Sequence, residues 1–185
     1  AKIYEKYLKD NKDKISSVIE LGSFYGNASA AFFFYFKNAQ IYSADINPDM
    51  YLYRSKRLKN FYTDTSSKSS IKKNILSKNI KFDLIIEDAS HMLKDQIISL
   101  FTLFKTLKAG GLFIVEEIDF PEKREDMRIN QDFPDLKTIL KKVIKKEKFN
   151  SKYINEDEKL FFLNNVESIE FYNGNINEIV VIKKK

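Results

Sequence analysis

The sequence predicts an α/β fold in which helices cover both faces of a mostly parallel, seven-stranded sheet with one antiparallel strand. The first two thirds of the chain alternate short apolar runs with helical patterns, which is typical of parallel strands joined by helices. The chain closes on two β-rich runs joined by Asn173-Gly174, a dipeptide typical of tight hairpins, so one strand should be antiparallel. With 185 residues, of which 43% are hydrophobic, the chain suits one domain over residues 1–185.

The first half of the chain contains three predicted strand–helix units. Apolar, β-rich runs predict strands over residues 15–21, 41–44 and 61–63. Helical patterns predict helices over residues 27–38, 48–58 and 67–77.

The second half is expected to extend the sheet and then close it. The remaining strands are predicted over residues 82–86, 112–115, 166–172 and 176–183. The remaining helices are predicted over residues 93–108 and 136–148. Gly110-Gly111 should end the first of these helices, because glycine pairs are strong helix stops. The polar segment 119–135 is predicted to be one long loop.

Composition excludes several classes of protein. The absence of cysteine excludes a disulfide scaffold, a thiol nucleophile and a thiolate zinc site. The net charge of +6 suggests nucleic acid, but 28 Lys beside only 4 Arg indicate compositional bias, since specific recognition favours Arg. No apolar run approaches the ~20 residues of a membrane span, and no signal peptide is visible, so a cytoplasmic location is expected. His91 is the only histidine.

Three acidic strand ends indicate a nucleoside-type ligand. The first strand runs into Glu20-Leu21-Gly22-Ser23-Phe24-Tyr25-Gly26, a glycine turn that either approaches a ligand or simply connects strand to helix. Asp45 ends the second strand, where an acid can accept both ribose hydroxyls or cap a helix before Pro48. Asp64 ends the third strand, where it can accept an adenine amino group, although Asp64 or Thr65 can equally be a helix cap.

Three further acids gather at the fourth and fifth strand ends. Asp88 and His91 follow strand four, and Glu116 and Glu117 follow strand five. Parallel α/β sheets bind ligands at this edge, and clustered carboxylates repel each other unless a cation or protons separate them. An all-oxygen set favours a hard cation such as Mg²⁺. The alternative is a group of solvated loop acids.

Together these residues resemble the class I S-adenosylmethionine-dependent methyltransferases over roughly residues 15–120. Five features carry the resemblance, namely E-x-G-x-x-x-G, Asp45, Asp64, the strand Phe82-Asp83-Leu84-Ile85-Ile86, and Leu107-Lys108-Ala109-Gly110-Gly111 before strand five. Within that class, Glu87-Asp88-Ala89-Ser90-His91 and Val115-Glu116-Glu117 are similar to the metal-dependent O-methyltransferases of macrolide sugars and their cephalosporin-hydroxylase-like relatives. Ala89 and Glu117 depart from that family, which usually has Gly and Asp there.

The resemblance implies a Rossmann-like methyltransferase fold, S-adenosylmethionine as cofactor and Mg²⁺ as metal. It implies that His91 is the general base. It implies that the metal ligands are Asp88, Glu116 and Glu117. It implies that the cofactor is bound by Glu20, Gly22, Ser23, Gly26, Asp45, Ile46, Asp64, Thr65 and Glu87. The implied acceptor is a hydroxyl on a small molecule or saccharide. The oligomeric state is not predicted, and a homo-oligomer is compatible with the sequence.

Three alternatives remain on the sequence. The same fold supports metal-independent methyl transfer and aminopropyl transfer. The net positive charge is compatible with a nucleic-acid methyltransferase or a nucleic-acid-binding protein. Against this alternative, the Asn/Asp-Pro-Pro-Tyr type of segment found in amino-methylating enzymes does not follow strand four. The fold can also serve interaction without catalysis.

Overall fold

In the computed structural model, which describes residues 2–185, seven strands form one sheet in the order β3-β2-β1-β4-β5-β7-β6. The strands are β1 (Ser17–Leu21), β2 (Gln40–Asp45), β3 (Leu58–Tyr62), β4 (Phe82–Glu87), β5 (Leu107–Val115), β6 (Val166–Asn173) and β7 (Glu178–Lys184). β7 is antiparallel to both of its neighbours, and every other neighbouring pair is parallel. The predicted sheet and its single antiparallel strand are confirmed.

Helices cover both faces of the sheet, as predicted. They are α1 (Lys2–Leu8), α2 (Asn27–Tyr35), α3 (Lys68–Asn74), α4 (Leu93–Leu103), α5 (Phe120–Lys123), α6 (Leu136–Ile144) and α7 (Glu156–Asn165). Residues of α1 and α2 share one core with the face that carries Val18 and Ile86. Residues of α3, α4, α6 and α7 share the other core, with Ile19 and Ile85. None of these helices is long and apolar enough to cross a membrane.

The larger core is dominated by aromatic side chains between α4 and α7. The ring centroid of Phe162 lies 4.9 Å from that of Phe101 and 4.7 Å from that of Phe104, and all three side chains are buried. Full burial of one such side chain stabilises the fold by about 1.5–3 kcal/mol. This cluster holds α4, whose N-terminus adjoins the sheet edge that carries the candidate site.

The predicted helix over residues 48–58 is wrong. Only Pro48–Met50 forms a single 3₁₀ turn, and the chain then runs irregularly to β3. Leu52 is 68% exposed, so the segment has no continuous apolar face to bury. Its backbone is instead fixed by the Leu52 N–H, which donates to the Tyr25 carbonyl at 3.1 Å, and the Asn60 amide, which donates to the Pro48 carbonyl at 2.6 Å.

The predicted helix over residues 93–108 ends early, and the glycine stop is wrong. The helix ends at Leu103, one 3₁₀ turn follows, and β5 begins at Leu107, which pairs with Phe82. Gly110 therefore lies inside β5, where the register shifts against β4 and its φ of 72° suits an irregularity that glycine tolerates.

Two helices were not predicted, and the predicted loop 119–135 contains a third. α7 begins with a capping box between Asn155 and Glu158, an N-x-x-E signal that is readable in the sequence. α1 has no comparable signal. Within 119–135, Asp119 pairs with Lys123 across the short helix α5 and accepts the Glu178 N–H at 2.8 Å. This segment is therefore anchored to β7.

Candidate active site

The candidate site lies where β1, β4 and β5 end side by side. Leu21 pairs with Glu87, and Glu87 pairs with Val115, so the residues that follow these strands emerge together. The Asp88 N–H donates to the Leu21 carbonyl at 3.0 Å, and the Glu116 N–H donates to the Glu87 carbonyl at 2.9 Å. The backbone thus fixes the spacing of the acidic residues at this edge.

Asp88, His91 and Glu117 converge on one point. His91 Nε2 lies 2.9 Å from Glu117 Oε2 and 3.8 Å from Asp88 Oδ1. Ligand atoms from all three residues lie within 4.8 Å of one another. Two carboxylate oxygens and an imidazole nitrogen at this separation form a donor set that fits a divalent cation.

Two of these residues have a left-handed backbone. His91 has φ 56° and Glu117 has φ 53°, conformations that cost of order 1–3 kcal/mol each in residues with a side chain. The surrounding structure holds Glu117 in place, because the buried Gln96 amide donates to its carbonyl at 3.2 Å. Such local strain concentrates at functional sites.

Glu116 lies beside Asp88 but is not part of this convergent group. Its Oε1 accepts the Tyr4 hydroxyl of α1 at 2.6 Å. β5 ends at Val115, and the left-handed backbone of Glu117 turns the chain between the two glutamates. Of the three predicted metal ligands, the structure brings together Asp88 and Glu117, with His91 beside them, while Glu116 Oε1 is bonded to Tyr4.

The crowding of acids and their burial perturb the titration of the group. Burial, with smaller contributions from Glu116 and Glu117, raises the pKa of Asp88 to about 7. Burial also raises the pKa of Glu116. Burial lowers the pKa of His91, although Glu117 opposes this shift, so a neutral imidazole is favoured at neutral pH. A bound cation would relieve the repulsion between the carboxylates.

The glycine turn packs against the strand end that carries Asp88. Gly22 has φ 83°, and a Cβ added there would lie 2.2 Å from the Asp88 carbonyl oxygen. Gly26 also has φ 83°, and its Cβ would meet the Tyr51 ring. Both glycines are therefore required by the turn itself. Ser23 lies between them with a buried hydroxyl that has no hydrogen-bond partner among the described residues.

Asp45 is held at the end of β2 beside this turn. Its Oδ2 accepts the Phe24 N–H at 2.8 Å, and its Oδ1 accepts the Asn47 N–H at 2.8 Å. Each oxygen keeps a second lone pair for a ligand hydroxyl. Asp45 is not a helix cap, and the adjacent Ile46 is 55% exposed at the same edge.

Asp64 and Thr65 follow β3 and are not helix caps either. The cap of α3 is Ser67, whose side chain accepts the Ser70 N–H. Asp64 accepts the Ser66 N–H at 2.9 Å, and Thr65 is buried. The helix-cap alternative for these two residues is therefore wrong.

Glu87 differs from its neighbour Asp88. It is fully buried, and desolvation, followed by the charges of Asp88 and Asp95, raises its pKa to about 8. Because β4 alternates its side chains, Glu87 points to the face covered by α4 and Asp88 does not. Glu87 joins the edge through its backbone carbonyl.

A buried network lies below the turn. The Ser29 hydroxyl donates to Glu20 Oε2 and lies 2.7 Å from the Ser43 hydroxyl. Glu20 is 2% exposed, and burial raises its pKa to about 7 despite the Ser29 bonds, which lower it. Neither serine was predicted, since no sequence signal links residues 20, 29 and 43.

This network predicts a pH dependence of stability. The folded-state pKa of Glu20 exceeds its ordinary value, so protonated Glu20 stabilises the fold. This stabilisation is complete below about pH 4.5 and is lost as the pH rises towards 7. Glu20→Gln mimics the protonated form. At pH 8 its free energy of unfolding in urea should exceed that of the wild type by on the order of 2–3 kcal/mol, and at pH 4.5 the two free energies should be equal. A constant difference between the two proteins at both pH values would contradict this assignment.

A cavity of about 480 Å³ lies between α1 and α2 and opens onto the acidic edge. Its walls are mostly aromatic and aliphatic, formed by Tyr4, Leu8, Phe32, Tyr35, Phe36 and Ile86. Glu20, Asp88 and Glu116 line it as well. This combination of apolar walls and a few polar groups is typical of small-molecule sites.

Comparisons with known proteins agree with the geometry. No protein-family model matches the chain. The chain is 26% identical over 122 residues to an 8-demethyl-8-α-L-rhamnosyl tetracenomycin-C 2′-O-methyltransferase of Streptomyces olivaceus, covering 62% of this chain and 32% of that enzyme. The chain therefore spans about a third of the length of this curated relative.

Solved structures show the same architecture. The methyltransferase MycE of mycinamycin biosynthesis, in complex with Mg, SAH and mycinamycin VI, superposes with a TM-score of 0.77 at 19% identity, over 99% of this chain and 48% of MycE. A Staphylococcus aureus protein provisionally named a caffeoyl-CoA O-methyltransferase gives a TM-score of 0.60 at 18% identity, over 98% and 81%. The chain has the Rossmann-like fold of the class I S-adenosylmethionine-dependent methyltransferases, as its sequence predicts.

Proposed function

We propose that the chain is an S-adenosylmethionine-dependent O-methyltransferase that requires a divalent cation and acts on a hydroxyl of a small molecule. The observation that carries this proposal is the convergence of Asp88, His91 and Glu117 beside the Gly22 turn. A base and two carboxylates next to a cofactor-type turn suit the activation and alignment of a hydroxyl.

The cofactor would lie along the ends of β1, β2 and β3. Asp45 would accept the ribose hydroxyls through the lone pairs that its backbone bonds leave free. Ser23, whose buried hydroxyl has no partner among the described residues, would bind the amino-acid end near Gly22. Asp64 and Thr65 would border the adenine.

The cation would be held by Asp88 and Glu117, and Glu116, whose Oε1 accepts the Tyr4 hydroxyl, would have Oε2 left to join them. When bound, the cofactor supplies an activated methyl group and the cation supplies a Lewis acid that lowers the pKa of a hydroxyl. The backbone of both residues is fixed, that of Asp88 by its N–H bond to the Leu21 carbonyl and that of Glu117 by the Gln96 amide, which donates to its carbonyl.

His91 Nε2 faces a carboxylate oxygen of Glu117 at 2.9 Å and would therefore carry the ring proton of the neutral imidazole. His91 would take the proton of the acceptor hydroxyl at Nδ1, which has no hydrogen-bond partner among the described residues. Burial lowers the pKa of His91, which favours a neutral imidazole that can accept a proton near pH 7. Glu117, 2.9 Å away, would stabilise the imidazolium that forms. The apolar cavity beside Asp88 would bind the body of the acceptor and exclude water.

The relatives support an acceptor of this class. MycE was solved with mycinamycin VI, and the Streptomyces olivaceus enzyme is named for a rhamnosyl 2′-hydroxyl. The name of the second enzyme places the methylated hydroxyl on a sugar that is attached to a small molecule. A saccharide or a small hydroxylated molecule is therefore the acceptor we propose.

The cofactor part of the proposal is tested by Asp45→Asn. Loss of a charged acceptor for the ribose hydroxyls should weaken S-adenosylhomocysteine binding about tenfold, because a hydrogen bond to a charged group contributes about 1.5–3 kcal/mol. Calorimetry measures this, with Asp49→Asn as the control, since Asp49 is exposed in the adjacent turn. Equal affinity in wild type and Asp45→Asn would remove Asp45 from the cofactor site.

The reaction type is tested separately with S-adenosylmethionine labelled in the methyl group. Methyl label found in the product would exclude aminopropyl transfer.

A further inference from the structure

The hairpin between β6 and β7 reaches the candidate site through one side chain. The Asn177 amide donates to Glu117 Oε1 at 3.1 Å. The other oxygen of the same carboxylate, Oε2, faces His91 at 2.9 Å. The two oxygens of Glu117 are therefore occupied in different directions, one by the hairpin and one by the histidine.

The hairpin itself is fixed to the segment that carries Glu117. The Glu178 N–H donates to Asp119 Oδ1 at 2.8 Å, and the Ile118 N–H donates to the Glu178 carbonyl at 3.1 Å. Glu178, the residue after Asn177, is therefore bonded to both Ile118 and Asp119, the two residues after Glu117. The position of Asn177 relative to Glu117 is set by the backbone and does not depend on a free loop.

Gly174 makes room for this arrangement. A Cβ on Gly174 would lie 2.8 Å from the Asn177 carbonyl oxygen and 2.9 Å from its Oδ1. The Gly174 N–H also donates to the Asn177 carbonyl at 2.7 Å. The glycine of the Asn-Gly hairpin therefore lets the Asn177 amide fold back beside the turn while its nitrogen points to Glu117.

We propose that Asn177 is a positioning residue that fixes the Glu117 carboxylate so that Oε2 is presented to His91 and to the cation. Glu117 has one more methylene than aspartate and a left-handed backbone, so its carboxylate needs an external partner to be held in one orientation. Such a partner of a metal-binding carboxylate typically changes metal affinity when it is removed. This inference rests on the proposed function for its metal part only.

The test compares Asn177→Ala with Asn175→Ala. Asn175 is an exposed residue of the same type in the same turn, so it is a matched control. Titration with Mn²⁺ by electron paramagnetic resonance should show about 10- to 100-fold weaker binding to Asn177→Ala and unchanged binding to the control. Asn177→Ser, whose side chain is too short to reach Glu117, should behave like Asn177→Ala, with unfolding midpoints measured for every variant.

The lone histidine supplies a second readout that needs no metal. His91 gives the only imidazole signals of the chain in proton–carbon correlation spectra, and these signals should shift in Asn177→Ala but not in Asn175→Ala. Unchanged His91 signals and unchanged Mn²⁺ affinity would overturn the role of Asn177. A wild type that binds no Mn²⁺ would instead defeat the metal part of the proposed function, and the His91 signals would still decide the positioning role.

Discussion

Replacing His91 with alanine is expected to lower methyl transfer about 100- to 10,000-fold, the usual contribution of a positioned general base. The loss should appear in kcat, because the imidazole acts on the reacting hydroxyl and not on the cofactor. S-adenosylhomocysteine affinity should therefore stay unchanged. The measurement is transfer of methyl label to an acceptor found by screening hydroxylated small molecules.

Added imidazole provides the control for this result. The alanine variant leaves space beside Glu117, so free imidazole should restore part of the rate if the missing function is proton transfer. Full activity of His91→Ala would rule out His91 as the base. A loss that imidazole does not restore, accompanied by weakened Mn²⁺ binding, would make His91 a metal ligand instead.

Replacing Asp88 with asparagine should weaken cation binding at least about 100-fold, since even indirect partners of metal ligands change affinity 10- to 100-fold. The same change should raise the unfolding free energy of the metal-free protein at pH 8. The pKa of Asp88 is raised to about 7 because burial and the neighbouring carboxylates disfavour its charge. Removing that charge therefore relieves a cost that the folded state carries without a cation.

The paired outcome separates a metal ligand from an ordinary structural acid. Mn²⁺ titration and urea unfolding measure the two effects, with Asp157→Asn as an exposed control on α7. If Asp88 were an ordinary structural acid, its replacement would lower the free energy of unfolding of the protein. If Asp88→Asn has a lower free energy of unfolding than the wild type and an unchanged Mn²⁺ affinity, Asp88 is not a metal ligand. Opposed changes in binding and stability are typical of functional residues.

The sequence predicted the sheet well because its strands are short apolar runs whose order is constrained by the parallel architecture. It predicted the helix over residues 48–58 wrongly, since the local pattern does not reveal that this segment packs through Tyr51 against Gly26. It also placed a helix stop at Gly110, whose conformational freedom serves a strand irregularity instead. In both cases tertiary contacts decided the local structure.

The candidate site was predictable to the level of strand ends and no further. The position of Asp88, Glu116 and Glu117 follows from strand order, but the direction of each side chain depends on pleating and on partners distant in sequence. Tyr4 holds Glu116 across 112 residues, and Asn177 holds Glu117 across 60. No local pattern contains such pairings.

Charge illustrates the same limit. The chain carries a net charge of +6, whereas the edge that holds Asp88 and Glu117 is acidic. Several lysines are paired elsewhere, for example Lys137 with Glu122 and Glu178. The overall charge therefore says little about the ligand that this edge binds.

We expect cofactor and cation to meet at the ends of β1, β4 and β5. A crystal structure of the chain with S-adenosylhomocysteine and Mn²⁺, with anomalous scattering to locate the metal, tests this most directly. We expect the ribose to lie on Asp45 and one Mn²⁺ to be bound by carboxylate oxygens of Asp88 and Glu117. A ligand bound elsewhere, or bound cofactor with no Mn²⁺ at these two residues under saturating metal, would contradict it.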